Sequence, residues 1–258
     1  MNGPARTVWV TGAASGMGAA HARGFADRGD RVGCWDLQAD ALGAVVDDIR
    51  ASGGQAEAVV ADVTDPQAVE MGAARFREAL GPAAVVIVNA GIILTGEHIE
   101  ELEPDAWRRV IDVNLTGAFL ASKAAIPQLR EAGEGALILV SSVCGLTASA
   151  GFGAYNASKH GVIGLMRTLA NELGSDGITV NAVCPGWVRT PMLAASVEDA
   201  NADPGDLSEF TDMTMIGRLV EPEEVTEAIL FLASPGARTI TGTVLPIDGG
   251  LMEKRAWP

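Results

Sequence analysis

The chain of 258 residues carries 33 acidic and 18 basic side chains, a formal net charge of −15. That excess argues against a nucleic-acid backbone or an anionic membrane surface as its main partner, because like charges repel at range. Apolar residues make up 48% of the chain and charged residues 20%, so it can bury a sizeable core and lacks the composition of a disordered protein.

The length suits a single α/β domain over residues 1–258, and no Pro- or Ser-rich linker divides it. Cys34, Cys144 and Cys184 lie far apart with no CxxC pair, which fits a reducing cytoplasm better than a disulfide framework or a zinc set. The N-terminus MNGPARTVWVTG runs straight into a strand-like segment, and no apolar run approaches the ~18 residues of a membrane span, so a soluble, unprocessed protein is expected.

In chain order, short β-branched runs recur between helical segments: TVWVT (7–11), RVGCWD (31–36), AEAVVAD (56–62), AVVIVNA (84–90), ALILVSS (136–142), ITVNAV (178–183) and GTVLPID (242–248). The alternation predicts a doubly wound α/β fold, a parallel sheet with helices on both faces. Near-continuous apolar runs such as AVVIV and ALILV suit strands buried on both sides. Residues 190–217 are less regular and are read as a mobile or short-helical insertion on the ligand side of the sheet.

Between the first strand and the first helix, TGAASGMG sets Gly12, Gly16 and Gly18 in a GxxxGxG spacing, with Ser15 and Met17 in the same loop. A tight turn that brings backbone and a helix N-terminus against a pyrophosphate needs such residues, although a plain βα turn could use them too. The second strand ends at Asp36, followed by Leu37. An acid there can accept hydrogen bonds from a ribose diol and repel a 2′-phosphate, or it can cap the helix that follows. No Lys or Arg occurs from Gly12 to Gly18 or from Val32 to Ala39, so NAD is expected over NADP. Asp62 and Val63 would flank the adenine, unless Asp62 caps the next helix. Asn89, Ala90 and Gly91 are small residues that let backbone approach a ligand.

Tyr155, the only tyrosine in the chain, precedes Lys159 by one helical turn, so the two share a face. A cation beside a phenol lowers its pKa and lets it exchange a proton with an alcohol or carbonyl near neutral pH. An isolated YxxxK is more often a surface pair. Ser142, at the end of the fifth run, falls on the carboxyl edge of the sheet, where open α/β sheets bind ligands.

Together TGAASGMG, NAG, SS followed by YNASK, PGWVRTPM and DGG stand in the order and approximate spacing of the short-chain dehydrogenase/reductase family, which the chain resembles from residue 7 to about 250. The resemblance implies a seven-stranded Rossmann-type sheet of order 3-2-1-4-5-6-7, an NAD(P) coenzyme and a homo-oligomer, commonly a tetramer, with a dimer as the alternative. By the same resemblance the catalytic set is Asn114, Ser142, Tyr155 and Lys159, with Ser141 the structural neighbour. Lys159 would also bind the nicotinamide ribose, and Asn114 would hold a water linking Lys159 to solvent. Pro185 and Gly186 would break the chain beside the nicotinamide, while the Val188 backbone and Thr190 would bind its carboxamide.

The resemblance also makes 190–217 a substrate-covering loop. It carries Glu198, Asp199, Asp203, Asp206, Glu209 and Asp212 and no Lys or Arg before Arg218, which disfavours an anionic substrate tail. Candidate wall residues are mostly apolar: Val143, Cys144, Leu146, Phe152, Trp187, Met192 and Leu193. They suggest a small or medium hydrophobic or alicyclic alcohol or ketone. A 3-oxoacyl-thioester reductase is the alternative within the family, disfavoured because REAGEGA and NELGSDG hold only Arg130 as a basic residue. A non-catalytic NAD-binding regulator is the alternative from another class. His21, His98 and His160 have no metal-ligand spacing, so no metal is expected. Trp257 in the tail LMEKRAWP is a candidate to reach a neighbouring subunit.

Overall fold

The computed structural model describes residues 5–199 and 207–254. Its strands are β1 (Thr7–Thr11), β2 (Arg31–Asp36), β3 (Gln55–Val60), β4 (Ala83–Val88), β5 (Gly135–Val140), β6 (Ile178–Pro185) and β7 (Val244–Ile247). They form one seven-stranded sheet in the order 3-2-1-4-5-6-7, and every ladder is parallel. The helices are α1 (Gly16–Asp27), α2 (Ala39–Ala51), α3 (Pro66–Leu80), α4 (Pro104–Ile111), α5 (Gly117–Ala132), α6 (Gly153–Leu173), α7 (Pro191–Asp199), α8 (Ser208–Asp212) and α9 (Pro222–Leu232).

Alternate residues of each buried strand serve opposite layers, as the two-residue period of a strand dictates. Val8 and Val10 pack with Phe25 of α1, Leu42 of α2 and Ile229 of α9. Trp9 points the other way, toward Phe76 of α3 in the layer shared with Leu129 of α5 and Met166 of α6. Phe76 is fully buried, with its ring centroid 5.7 Å from Trp9 and 5.9 Å from Trp35. Truncation of such a side chain costs about 3–5 kcal/mol. No helix among the described residues is long and apolar enough to cross a membrane.

Several strands stop earlier than their apolar runs suggest, and each time a polar side chain captures the backbone. β3 ends at Val60 because Asp62 accepts from the Thr64 amide and hydroxyl, both at 2.8 Å, and turns the chain. The cap of α3 falls to Asp65, which accepts from the amides of Gln67 and Ala68, so Asp62 is free of that task. β4 ends at Val88, where the Thr11 hydroxyl receives the amides of Asn89 and Ala90 at 3.0 Å each. β5 ends at Val140 instead of Ser142, and β7 covers only Val244–Ile247.

The 190–217 segment contains two short helices, α7 and α8. Asp203, Asp206 and, in the tail, Trp257 lie outside the described residues, and only the backbone of Glu198 and Asp199 is described.

Candidate active site

The loops leaving β1 to β5 converge at the carboxyl edge of the sheet on a cleft of about 710 Å³. Its floor is the glycine loop. Gly12 has φ +69°, and a Cβ there would sit 2.9 Å from Ala90 Cα, while one on Gly18 would sit 1.9 Å from the Gly12 carbonyl oxygen. The Asn89 side chain donates to the Thr11 and Gly12 carbonyls at 3.0 and 3.2 Å, and so holds β1 and β4 together at the cleft. Ser15 precedes α1 without capping it, and the first turn carries no acid. That helix start therefore keeps its amides and positive dipole end available to an anion.

Asp36 occupies the far side of the floor and is no helix cap, since α2 begins at Ala39 with Gln38 before it. Its two oxygens accept from the Ala14 and Gln38 amides at 3.0 Å each, which fixes the carboxylate at the cleft rim. Leu37, Asp62, Val63, Asn89, Ala90, Gly91, Ser15, Met17 and Thr190 also line the cleft, as expected. Pro185, Gly186 and Val188 do not. Pro185 and Gly186 are held against β7 by the Gly186 amide on the Ile247 carbonyl, and Val188 is buried and bridged to Val220. The Pro185 and Val188 side chains serve packing and Gly186 has none, which leaves only backbone roles.

α4 also contributes to the wall, a feature absent from the sequence reading. Arg108 and Arg109 line the cleft; Arg108 is paired with Asp105 at 2.5 Å.

Tyr155, Lys159 and Ser141 line the inner part of the cleft, whereas Ser142 and Asn114 do not line it and are buried beside it. Asn114 lies in a π-helical turn, Asp112–Thr116, inserted between α4 and α5. Such turns re-aim a side chain at a cost in helix geometry and often mark sites. The Asn114 amide is locked in place. It exchanges hydrogen bonds with the Ile92 backbone at 2.8 and 2.9 Å and donates to the Ser158 hydroxyl at 3.1 Å.

The two serines divide their work. Ser141 donates to the Lys159 carbonyl at 2.9 Å and anchors β5 to α6. Ser142 accepts from the Cys144 amide at 3.1 Å and opens a 3₁₀ turn, Val143–Gly145, that faces Tyr155. Lys159 donates to the Val140 carbonyl at 3.0 Å, with its Nζ 5.5 Å from the Tyr155 ring centroid. Gly91 adjoins both Asn114 and Lys159, since a Cβ there would lie 3.2 Å from Asn114 Oδ1 and 3.4 Å from Lys159 Nζ.

Burial sets the ionisation of this group. It pushes the Tyr155 phenol above its ordinary range, opposed only by the hydrogen bond with Ser142, and holds the Lys159 ammonium down to about 8. The expected lowering of the phenol pKa by Lys159 is thus not the dominant effect in the protein alone.

The residues expected on the substrate side fall in three separate places. Cys144 and Phe152 share an apolar cluster with Tyr155, Val143, Ile92 and Leu251. Burial pushes the Cys144 thiol up, as suits a wall residue rather than a nucleophile. Met192 reaches the coenzyme cleft itself. Trp187 belongs elsewhere, packed edge-on against Phe210 with centroids 4.6 Å apart and beside Leu193 and Leu219. His160 turns away to the Asn156 carbonyl, and His21 is buried against Thr226. No group of three or more His, Cys, Asp or Glu among the described residues could hold a metal.

A family model described as enoyl-(acyl carrier protein) reductase matches residues 12–252. The chain is 41% identical to a cis-4-hydroxycyclohexanecarboxylate dehydrogenase of Sinomonas cyclohexanicum, over 95% of this chain and 96% of that protein. It is 39% identical to a 2,5-dichloro-2,5-cyclohexadiene-1,4-diol dehydrogenase of Sphingobium indicum, over 95% of each. Among solved structures, levodione reductase superposes with a TM-score of 0.93 at 32% identity, covering 97% of this chain and 98% of that one. An actinorhodin polyketide ketoreductase with NADPH superposes with a TM-score of 0.91 at 35% identity, covering 97% and 98%. With its sheet order, glycine cleft and extent of similarity, the chain belongs to the short-chain dehydrogenase/reductase family of oxidoreductases.

Proposed function

We propose that the protein interconverts a secondary alcohol on an aliphatic ring and its ketone, with NAD as coenzyme and Tyr155 as the proton-transfer residue. One observation carries the reading: Tyr155 and Lys159 line the glycine cleft, Ser142 and Asn114 are buried beside them, and Tyr155 also belongs to an apolar wall. The ring preference draws on the relatives, whose printed names include cyclohexane and cyclohexadiene alcohols.

The nicotinamide coenzyme supplies the two-electron acceptor or donor. In the oxidation direction, Tyr155 acts as the phenolate and becomes the phenol by taking the hydroxyl proton as the carbinol C–H bond breaks, and Ser142 donates a hydrogen bond to the substrate oxygen. The Lys159 ammonium beside the ring stabilises that phenolate before it takes the proton. The hydrogen bonds of Asn114 to Ile92 and Ser158 keep the lysine's surroundings rigid, a positioning role. Reduction is the reverse.

Asp36 favours NAD, because a carboxylate fixed at the rim by two amides can accept from a ribose diol and would repel a 2′-phosphate. The reading extends to a cytoplasmic homotetramer, consistent with Trp107 and Phe119 exposed on α4 and α5. Carrier-bound thioesters fit less well, since Arg130 is already paired with Asp176 at 2.7 Å. The test is a panel of cyclic and acyclic alcohols and ketones, read by NADH and NADPH absorbance in both directions. Turnover of cyclic secondary alcohols with NAD is expected. Coenzyme binding without turnover would make the protein a nucleotide-binding regulator, and preference for NADP would remove the role given to Asp36.

A further inference from the structure

We infer that the ring substrate is uncharged, and that this site rejects the carboxylate-bearing ring alcohol named for one of its relatives. The inference rests on the alcohol/ketone reading above and adds the charge of the substrate to it.

The wall beside Tyr155 is built from Ile92, Ile93, Leu94, Val143, Phe152 and Leu251. Among the described residues the one cationic side chain buried with this group is Lys159, and its Nζ already donates to the Val140 carbonyl behind the phenol. Among the described residues, the other cations near the site are ion-paired, bonded to backbone or exposed outside this cluster. Arg189 and Arg218, which bracket the 190–217 segment, are ion-paired with Glu221 and Glu224. Lys254, three residues past Leu251, donates to the Asp212 and Thr214 carbonyls. Arg108, paired with Asp105, and Arg109 are exposed residues of α4 that line the wider cleft and lie outside the apolar cluster around Tyr155. Lys123 and Arg167 are exposed on α5 and α6.

The segments flanking the apolar wall carry carboxylates instead. Glu97 is exposed on the loop bridged to Phe152, Glu253 is exposed two residues past Leu251, and Asp212 closes α8. A substrate carboxylate would leave water for an apolar wall without a counter-ion and would meet like charges at the mouth. Burying an unpaired charge is the costly case, whereas a hydroxyl, ether or second carbonyl asks far less.

The experiment compares kcat/KM with NAD for cyclohexanol, cis-4-hydroxycyclohexanecarboxylate and the methyl ester of that acid. The ester keeps the size of the acid and removes the charge. Cyclohexanol and the ester should both exceed the acid by on the order of 100-fold or more, the scale of an unpaired buried charge. An acid turned over within about tenfold of its ester would overturn the inference while leaving the alcohol/ketone reading in place. Acid and ester rejected alike, with cyclohexanol accepted, would also overturn it, because size and not charge would then decide. Failure of all three would count against the alcohol/ketone reading itself.

Discussion

The two sides of the site are built by different means. The side proposed for the coenzyme is made of backbone: glycines that allow close approach, amides left open at the start of α1, and a carboxylate pinned by two amides. The side proposed for the substrate is made of side chains, the apolar wall around Tyr155. A backbone site tolerates little change because any added atom meets main chain, whereas a side-chain wall can be refilled. Within one family the first arrangement can stay constant while the second diverges with the substrate.

The sharpest way to break this contrast is at Gly18. A methyl group there would overlap the Gly12 carbonyl, with only 1.9 Å between them. Gly18→Ala should therefore weaken NADH binding by about 100-fold or more, read by fluorescence titration, since relief requires moving the loop itself. An unchanged affinity would show that the loop is soft and that the contrast is wrong.

A second test concerns the framework behind the loop. His21 on α1 is fully buried against Thr226 of α9, and burial holds its pKa down to about 3 from an ordinary 6.5. The unfolded chain therefore binds a proton between about pH 6.5 and 3 that the folded chain refuses. This contribution to stability is complete above pH 6.5 and is lost as pH falls, by at most about 1.4 kcal/mol per pH unit. Urea unfolding at pH 7 and pH 5 should show the loss, and His21→Gln should reduce the pH dependence. The same slope in both proteins would mean that other groups carry the acid sensitivity.

The smallest effect is expected in the packing of the 190–217 segment, the proposed substrate cover. Phe210→Ala removes the edge-on contact with Trp187, a pair worth about 0.5–1.5 kcal/mol beyond burial. KM for the alcohol should rise a few-fold with NADH affinity unchanged. A matching loss of NADH affinity would join the two sides that the comparison separates.

Much of this architecture was legible in the sequence, for identifiable reasons. Apolar runs and glycine spacing placed all seven strands and the cleft floor, because strands buried on both faces and close backbone approach admit few residue types. The polar strand ends were misplaced. Asp62, Asn89 and Ser142 turn the chain through side-chain hydrogen bonds that local propensity does not reveal.

The π turn that aims Asn114 carries no sequence pattern of its own, and the α4 residues at the cleft reach it only through tertiary packing. Trp187 was assigned to the substrate wall from its place beside the Pro-Gly break. The backbone passes there, but its indole packs on Phe210. The direction of the expected Tyr155 shift was missed because spacing reports a neighbouring lysine and says nothing of burial.

The central claim is that Tyr155 transfers the proton in an alcohol/ketone interconversion, and Tyr155→Phe tests it with little change of shape. The measurement is kcat for the best alcohol of the panel, alongside NADH affinity. General acid/base catalysis is worth roughly 10² to 10⁴ in rate, so kcat should fall by at least about 100-fold while NADH binds as before. A variant that kept more than about a tenth of the wild-type kcat would contradict the assignment.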